Sequence, residues 1–336
     1  MNDPAFFEKL YNREGHWNKY DWAYDAHGTP LLTLSAIDHN VHKHRRAAMN
    51  PFFSKTNVIN RQSTIRGLVS KLCHRLDDFA TNSKRSHIKL GAVLGALTRD
   101  VATEFLLGKS FRNLDADDFR ASVGNTLQKS GAIWRSTKHF RCDEVITVAG
   151  AAFETTPYTL SVTLYNAYSK PQILQHLRAE LLSAGLNKRE TSIAELEKLP
   201  YLAAVLSEGL LFSPALATRM ARVAPDRDLV HGKQRIPAGT PVGMTALLMH
   251  TDPEGYPDPI RFTPDRWMDV EARKRMDKAY ARGTRICVGM HLAWVELYMV
   301  VAAIVQRFDF EFDPDAAKDV TWVATCSPPA LRLETA

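Results

Sequence analysis

The sequence predicts a mainly α-helical fold with a minor β part, in a single domain that spans residues 1–336. Three observations support this prediction. Apolar residues recur at helical spacing through most of the chain, one stretch rich in proline and glycine interrupts them, and no repeat or low-complexity linker divides the chain. With 45% hydrophobic residues, the chain is long enough to bury a sizeable core.

The helical pattern runs through six segments. The first is a basic segment that ends near Pro51, and the second is long and amphipathic, with apolar residues on one face. The six predicted helices, in order, cover residues 39–53, 56–82, 90–107, 143–169, 171–184 and 199–212.

Two regions predict the β part. Residues 217–265 are rich in proline and glycine and contain short β-like runs such as 235–242, which favours turns and small strands. The tail over 318–334 predicts a small β-hairpin region.

Composition excludes several classes of protein. The chain has 43 basic and 37 acidic residues, and this net charge of +6 is spread along it, so no nucleic-acid-binding surface is indicated. The four cysteines form no C-x-x-C pair, which argues against a zinc site and a disulfide framework. Residues 1–10 are too polar to span a bilayer, and the apolar run 292–305 is too short and contains Glu296, so it predicts a buried helix.

A cysteine loop at 280–289 is the strongest functional signal. Cys287 follows Arg285 by two residues, and Gly283 and Gly289 bracket it before a long apolar helix. A helix N-terminus and an arginine both favour an ionised thiol, and glycine allows a tight turn. The pattern therefore predicts a loop that presents a thiolate, whereas a buried structural cysteine at a helix start is the alternative interpretation.

Gly283, Arg285, Cys287 and Gly289 resemble the cysteine-ligand loop of the cytochromes P450, with Tyr280 at a position where that family usually has phenylalanine. The resemblance implies the fold of that family, and a haem whose iron has the Cys287 thiolate as its axial ligand. It also implies that Gly283 and Gly289 lie at the haem.

Other residues are candidates for the haem propionates. Arg285 is the first, and His42 and Arg46, four residues apart on one helix face, resemble the propionate-binding pair of the family. Arg219 and Arg222 lie where the family often supplies a further cation, and Arg219 is the residue that we predict to bind.

Glu154 and Thr155 resemble the oxygen-activating motif of the family, although Ala152 replaces its glycine. An acid followed by a hydroxyl residue can relay protons during oxygen activation. Pro157 removes a helix donor just after the pair, so a local kink is predicted there. The alternative is a polar pair next to a kink without a catalytic role.

One buried ion network of the family is incomplete in this sequence. Glu208 and Arg266 match two of its members, but Leu211 stands where the family has an arginine. Either Glu208 pairs with Arg266 alone, another arginine substitutes, or the fold is compromised, because a buried carboxylate without partners costs a few kcal/mol.

The resemblance implies a haem-thiolate monooxygenase that inserts one oxygen atom from O2 into a small apolar organic substrate. The segments at 38–46 and 52–55 look most like the P450s of fungal secondary metabolism. The implied partner is the NADPH-dependent P450 reductase, with the chain as a monomer. Basic residues over 273–285 either receive that partner or form an ordinary solvated loop.

The chain also predicts a shortened version of the family fold. Little precedes the region of residues 3–22, and 121–142 is too short for the two helices that roof the substrate pocket in eukaryotic relatives. Those relatives are anchored in the endoplasmic reticulum membrane, but the localisation of this chain stays open. Two alternatives follow: a non-catalytic haem-binding remnant, or a haem-thiolate isomerase or dehydratase that needs no external electrons.

Overall fold

The computed structural model describes residues 3–25, 31–81, 87–122, 144–186, 191–214, 218–271, 273, 283–312 and 330–335. Helices dominate them, as predicted. In chain order they are α1 (Pro4–Leu10), α2 (Asp21–Asp25), α3 (His39–Met49), α4 (Lys55–Asn60), α5 (Gln62–Thr81), α6 (Leu90–Leu107), α7 (Glu144–Tyr168), α8 (Pro171–Ser183), α9 (Ile193–Leu196), α10 (Pro200–Phe212), α11 (Ala246–His250) and α12 (Met290–Arg307). Short 3-10 helices cover Asn113–Asp115 and Pro264–Trp267.

The strands are short and antiparallel. They are β1 (Asn18–Lys19), β2 (His87–Lys89), β3 (Arg222–Val223), β4 (Leu229–His231), β5 (Gln234–Ile236), β6 (Pro241–Val242), β7 (Phe308–Phe312) and β8 (Ala330–Thr335). One sheet has the order β1-β3-β6, a second has β2-β8-β7, and β4 pairs with β5. Four of these strands lie within 217–265, which confirms the predicted β region.

The core lies where α7 packs against α6, α10 and α12. Helices α6 and α10 are buried along nearly their whole length. Buried polar groups in α6 have partners: the carboxylate of Asp100 accepts hydrogen bonds from the backbone N–H groups of Asn113 and Leu114, at 2.8 and 2.9 Å. The core therefore holds the helix that follows Cys287 against the helix that carries Glu154 and Thr155.

The predicted helix over 56–82 is two helices, with a break at Arg61. The backbone of Arg61 leaves the helical region, and its guanidinium donates to the Phe105 carbonyl oxygen at 2.7 Å. The same group lies over the rings of Phe52 and Phe105. No proline or glycine lies at this position, so the local sequence did not predict the break. The break coincides instead with the tertiary contact between Arg61 and Phe105.

The C-terminal prediction is confirmed in part. Strand β8 pairs with β7 and also with β2, so the tail closes a three-stranded sheet. Residues 313–329 lie outside the described residues, as do 123–143, where the shortened roof was predicted, and most of the basic segment 274–282.

Glu208 has more partners than its sequence neighbourhood suggested. Its carboxylate accepts from the Thr263 N–H and from the indole N–H of Trp267, each at 2.6 Å, and lies 3.1 Å from the Arg266 guanidinium. Leu211 is buried in the apolar core instead. The three donors lower the pKa of Glu208, but burial outweighs them and raises it to about 7. Of the three alternatives, pairing with Arg266 is correct, but Arg266 does not act alone.

Within the described residues, none of the helices combines the length and the apolar character that crossing a bilayer requires.

Candidate functional site

The cysteine loop is held in place by a close contact with the N-terminal segment. Gly283 has a φ of +84°, and a Cβ at this position would lie 2.4 Å from the carbonyl oxygens of both Tyr11 and Asn12. The Gly283 carbonyl oxygen accepts from the Ile286 N–H at 3.3 Å, which closes a turn. Only glycine satisfies both the conformation and the contact, so the predicted tight turn is confirmed.

Cys287 is exposed at the end of this turn, three residues before α12 begins. Surrounding protein raises the pKa of the Cys287 thiol by desolvation, while the Gly289 N–H and the charge of Arg46 lower it. Of the two predicted contributions, the backbone at the start of α12 does lower the pKa, whereas the cation that lowers it is Arg46 and not Arg285, and desolvation outweighs both. The geometry nevertheless suits a metal ligand, since metal coordination deprotonates a thiol outright.

Arg46 is the cation whose charge lowers the pKa of Cys287. Its guanidinium donates to the Ile286 carbonyl oxygen at 2.7 Å and to the Asn50 side chain at 2.8 Å. Arg285 points away from the cysteine and donates to the carbonyl oxygens of Ala36 and Ile37, at 2.6 and 3.0 Å. Arg285 thus ties the loop to the segment before α3, and Arg46 ties α3 back to the loop.

Five positively charged or titratable side chains meet beside the loop, and we call them the cation cluster: Lys19, His42, Arg46, Arg222 and Arg285. They come from β1, α3, β3 and the cysteine loop. Lys19 donates to the Leu34 carbonyl oxygen, and Arg222 donates to the Met220 carbonyl oxygen. Among the described residues, no carboxylate forms an ion pair with any of the five, although the charge of Asp38 acts on Arg285 from a greater distance.

Burial first, and then repulsion between neighbouring positive charges, lowers the pKa values in the cluster. Burial, followed by the charges of Arg285 and Arg222, lowers the pKa of Lys19 to about 6. Burial, then Arg285 and Lys19, lowers the pKa of His42 to about 3, and burial, then Arg222, lowers that of Arg285 to about 10. The Nδ1 atom of His42 is buried without a hydrogen-bond partner. A site that disfavours its own charges in this way is suited to an anion.

The haem predicted from the sequence fits these residues. An exposed thiol is available, the cation cluster suits two carboxylates, and the Nδ1 atom of His42 has no protein partner. Gly289 has an ordinary φ of −83°, and no atom lies within 4 Å of a Cβ built on it. Protein packing therefore does not require glycine there, whereas a flat cofactor lying against the backbone would.

The structure brings together most of the predicted haem-binding residues: Cys287, Gly283, Gly289, Arg285, His42 and Arg46. Arg219 is separate from them, because its side chain is exposed while its carbonyl oxygen accepts from the Tyr11 hydroxyl at 3.2 Å. Arg222, three residues later, is buried in the cation cluster. The role of Arg219 stays a prediction, and Arg222 is the better placed of the two.

Glu154 and Thr155 lie on an exposed part of α7. The Thr155 hydroxyl donates to the Ala151 carbonyl oxygen at 2.9 Å, and desolvation raises the pKa of Glu154. Helix α7 contains Pro157 and continues beyond it to Tyr168. Among the described residues, no hydrogen bond links this pair to the cysteine loop, so their relay role stays a prediction.

Lys19 was missed by sequence reasoning. A lysine is ordinarily exposed, and the aromatic residues near it in the sequence, Trp17, Tyr20 and Trp22, do not by themselves predict its burial. Its exposed fraction of 6% follows from the pairing of β1 with β3, which no local pattern predicts.

Comparisons with known proteins agree with this geometry. The family model described as Cytochrome P450 matches residues 136–326, which is more than half of the chain. The match includes Glu154, Glu208, Arg266 and Cys287.

Curated relatives extend the similarity over nearly the whole chain. The N-acetyltryptophan 6-hydroxylase ivoC of Emericella nidulans is 26% identical over 99% of this chain and 80% of its own length. The tryptophan 6-hydroxylase fscE of Fusarium equiseti is 27% identical over the same shares. The cytochrome P450 monooxygenase TRI4 of Fusarium sporotrichioides is 28% identical over 95% of this chain and 76% of its own length. The alignment with the first spans 416 positions, more than the 336 residues of this chain, so it leaves gaps in this chain.

Proposed function

Because the chain belongs to the cytochrome P450 family, we propose that it is a haem-thiolate monooxygenase of fungal secondary metabolism. It inserts one oxygen atom from O2 into a small apolar organic substrate. The hydroxylase and monooxygenase names of the fungal relatives support this reaction class.

One observation carries the proposal: an exposed cysteine thiol and the cation cluster share one site, linked by Arg46. In this proposal the Cys287 thiolate would hold the haem iron, and Arg46, Arg285 and His42 would hold the propionates. The cations lose their mutual repulsion when two carboxylates lie among them, because opposite charges at short range favour the charged forms. Gly289 leaves room for the macrocycle beside the backbone.

When bound, a thiolate-ligated haem supplies the activation of O2. Glu154 and Thr155 then supply protons from α7. Desolvation raises the pKa of the Glu154 carboxyl, which brings its proton exchange closer to neutral pH. The Thr155 hydroxyl, which donates to the Ala151 carbonyl oxygen, can rotate to pass a proton onward.

The electrons come from an NADPH-dependent P450 reductase in this proposal. A surface depression of about 400 Å³ lies at the first turns of α12, on the side of the cysteine loop, and supports docking there. Lys55, Arg273, His291 and Trp294 are among its lining residues. Glu197 also lines the depression and forms an ion pair with Lys55 at 2.8 Å, so Arg273 supplies the positive charge that suits a partner with an acidic surface.

The first experiment tests the ligand. The protein is expressed, reduced with dithionite and exposed to carbon monoxide, and a strongly red-shifted Soret band is expected. Cys287→Ala should abolish the shifted band. Cys73→Ala, which removes the buried thiol on α5, is the matched control and should retain it. A Cys287→Ala protein with an unchanged band contradicts the assignment, and no haem uptake by the native chain contradicts both the monooxygenase and the haem-thiolate isomerase or dehydratase.

The second experiment tests the reaction. NADPH consumption with added reductase is measured with and without candidate substrates, such as apolar aromatic compounds. A substrate-dependent increase together with an oxygenated product supports the monooxygenase. Substrate conversion without NADPH consumption assigns the chain to the haem-thiolate isomerases or dehydratases instead.

A further inference from the structure

Tyr11 caps the C-terminal end of helix α1, where its N–H donates to the Phe7 carbonyl oxygen at 2.9 Å. Its side chain is 4% exposed, and its ring packs against that of Phe7, with 4.5 Å between the two centroids. The other end of α1 is held by Asp3, whose carboxylate caps the helix and lies 3.0 Å from Nε2 of His231. Tyr11 therefore belongs to a helix that is fixed at both ends.

The Tyr11 hydroxyl joins α1 to two segments that are distant in the chain. It accepts from the Met244 N–H at 2.9 Å, and the carbonyl oxygens of Arg219, Met220 and Met244 lie 3.2 to 3.3 Å from it as acceptors for its one proton. Burial raises the pKa of Tyr11, so the hydroxyl stays protonated and donates while it accepts. Gly243 lets the two segments approach, because a Cβ there would lie 2.4 Å from the Arg219 carbonyl oxygen. The hydroxyl thus anchors Tyr11 to the backbone that precedes β3 and follows β6.

The main chain of the same residue supports the cysteine loop. The carbonyl oxygens of Tyr11 and Asn12 form the surface against which Gly283 packs. The described structure contains no hydrogen bond between Gly283 and these carbonyl groups, so the contact depends on shape alone. The position of Gly283 therefore follows the position at which Tyr11 is held.

Gly283 controls a different part of the loop from the two arginines. Arg285 and Arg46 form hydrogen bonds with backbone carbonyl oxygens, and these contacts act at residues 285 and 286. Gly283 begins the turn, because its carbonyl oxygen accepts from the Ile286 N–H at 3.3 Å. A shift of Gly283 therefore moves the turn that presents Cys287.

We propose that Tyr11 is a positioning residue for Cys287: its hydroxyl fixes it to the backbone beside β3 and β6, and its carbonyl oxygen sets the position of Gly283. This inference deepens the proposed function and rests on it for the role of Cys287 as the haem ligand. The Arg222 guanidinium lies 5.3 Å from the centroid of the Tyr11 ring, so the same side chain also contacts the cation cluster. Helix α1 is thereby a third support of the site, besides α3 and the segment before it.

The test compares Tyr11→Phe with Tyr168→Phe. Each variant loses one hydroxyl that hydrogen-bonds the backbone, and the Tyr168 hydroxyl donates to the Phe308 carbonyl oxygen at 2.7 Å, at the far end of α12. Amide hydrogen exchange of residues 283–289 is measured in the haem-free full-length chain. Tyr11→Phe should accelerate this exchange about fivefold, because the turn opens more readily once a hydrogen bond of ordinary strength is lost. Tyr168→Phe should leave the exchange of the loop at the native rate.

The haem-loaded protein gives a spectroscopic readout of the same role. The reduced carbon monoxide complex is followed as urea is raised, and loss of the red-shifted Soret band reports loss of the thiolate ligand. Tyr11→Phe should lose this band at lower urea than the native chain does. The urea midpoint of its helical circular dichroism should fall no further than that of Tyr168→Phe.

Three results overturn the proposal. The first is a loop that exchanges at the native rate in Tyr11→Phe, and the second is equal acceleration in both variants. The third is a Tyr11→Phe chain that fails to fold, because Tyr11 would then serve the fold as a whole. A native chain that takes up no haem contradicts the proposed function instead, and the exchange comparison still decides whether Tyr11 positions the loop.

Discussion

Gly283 and Gly289 flank Cys287 for different physical reasons. Gly283 adopts a positive φ, and a Cβ at this position would collide with two carbonyl oxygens, so the protein itself requires glycine. Gly289 has an ordinary φ and open space around its missing Cβ. The sequence presents them as one motif, but only the second is free to serve a ligand.

Alanine substitutions should separate these two roles. Gly283→Ala should destabilise the haem-free protein by about 3 kcal/mol, because a Cβ is strained at φ +84° and collides with the backbone of residues 11 and 12. Gly289→Ala should change that stability by less than about 1 kcal/mol but weaken haem binding. Urea unfolding and Soret titration measure the two effects. Equal losses of stability in both variants would contradict the distinction.

Glu296 is a buried acid inside α12. It is 1% exposed, its Oε2 atom has no hydrogen-bond partner, and burial raises its pKa well above 4.5. A folded state with a raised carboxyl pKa binds more protons than the unfolded state. The stabilising contribution of Glu296 is therefore present below pH 4.5 and is lost as pH rises toward the pKa of the folded state.

Glu296→Gln should remove this dependence on pH. The variant keeps the shape but cannot ionise, so its free energy of unfolding should exceed that of the native chain at pH 8 by more than about 1 kcal/mol. The advantage should shrink at pH 5. Urea unfolding at both values is the measurement, with Glu104→Gln on α6 as the control. If the difference in the free energy of unfolding between Glu296→Gln and the native chain is the same at both pH values, the role given to Glu296 is contradicted.

At the scale of elements, the contact between α10 and the 3-10 helix Pro264–Trp267 supplies partners for Glu208 in place of the family's buried ion network. The family arginine is missing at Leu211, but the Trp267 indole and the Thr263 N–H donate to Glu208 together with Arg266. Three donors satisfy the carboxylate, so the fold is not compromised at this point. We therefore expect no gain in stability from an arginine at position 211.

Trp267→Phe should destabilise the protein by about 2 kcal/mol, because Glu208 loses a donor while it stays buried. Trp294→Phe on α12 is the matched control and should cost less. Leu211→Arg should also destabilise, because it places a charge where a leucine is 3% exposed in the apolar core. Denaturant unfolding measures all three variants. A stabilised Leu211→Arg protein would show that Glu208 still lacks a partner.

At the scale of the whole molecule, the site is the meeting point of segments distant in the chain. Lys19, Arg46, Arg222 and Arg285 lie on four different parts of the sequence, and backbone carbonyl oxygens accept hydrogen bonds from each of them. Like charges gathered in this way weaken the contacts among their segments. The apolar core around α6, α7 and α10 does not depend on them.

Haem should therefore stabilise the molecule unevenly. Amide hydrogen exchange with and without haem should show the largest gain in protection in β1, α3, β3 and the cysteine loop, because the ligand removes repulsion there. Helices α5 and α6 should change least. A uniform gain, or one confined to α5 and α6, would contradict an anion-binding role for the cation cluster.

The sequence alone determined the helical class, the β region and the cysteine loop. Each depends on residues that are close in the chain: apolar spacing for the helices, glycines and prolines for the turns, and fixed offsets around Cys287 for the ligand. His42, Arg46 and Arg285 were predicted for the same reason, since a motif of few residues contains each of them.

Only the tertiary structure decided the remainder. The break at Arg61, the indole partner of Glu208 and the burial of Lys19 beside Arg222 all result from contacts between distant segments. The structure also showed that desolvation raises the pKa of Cys287, which the local motif predicted to be lowered. Burial and long-range charge depend on which segments meet, and a linear pattern does not contain that information.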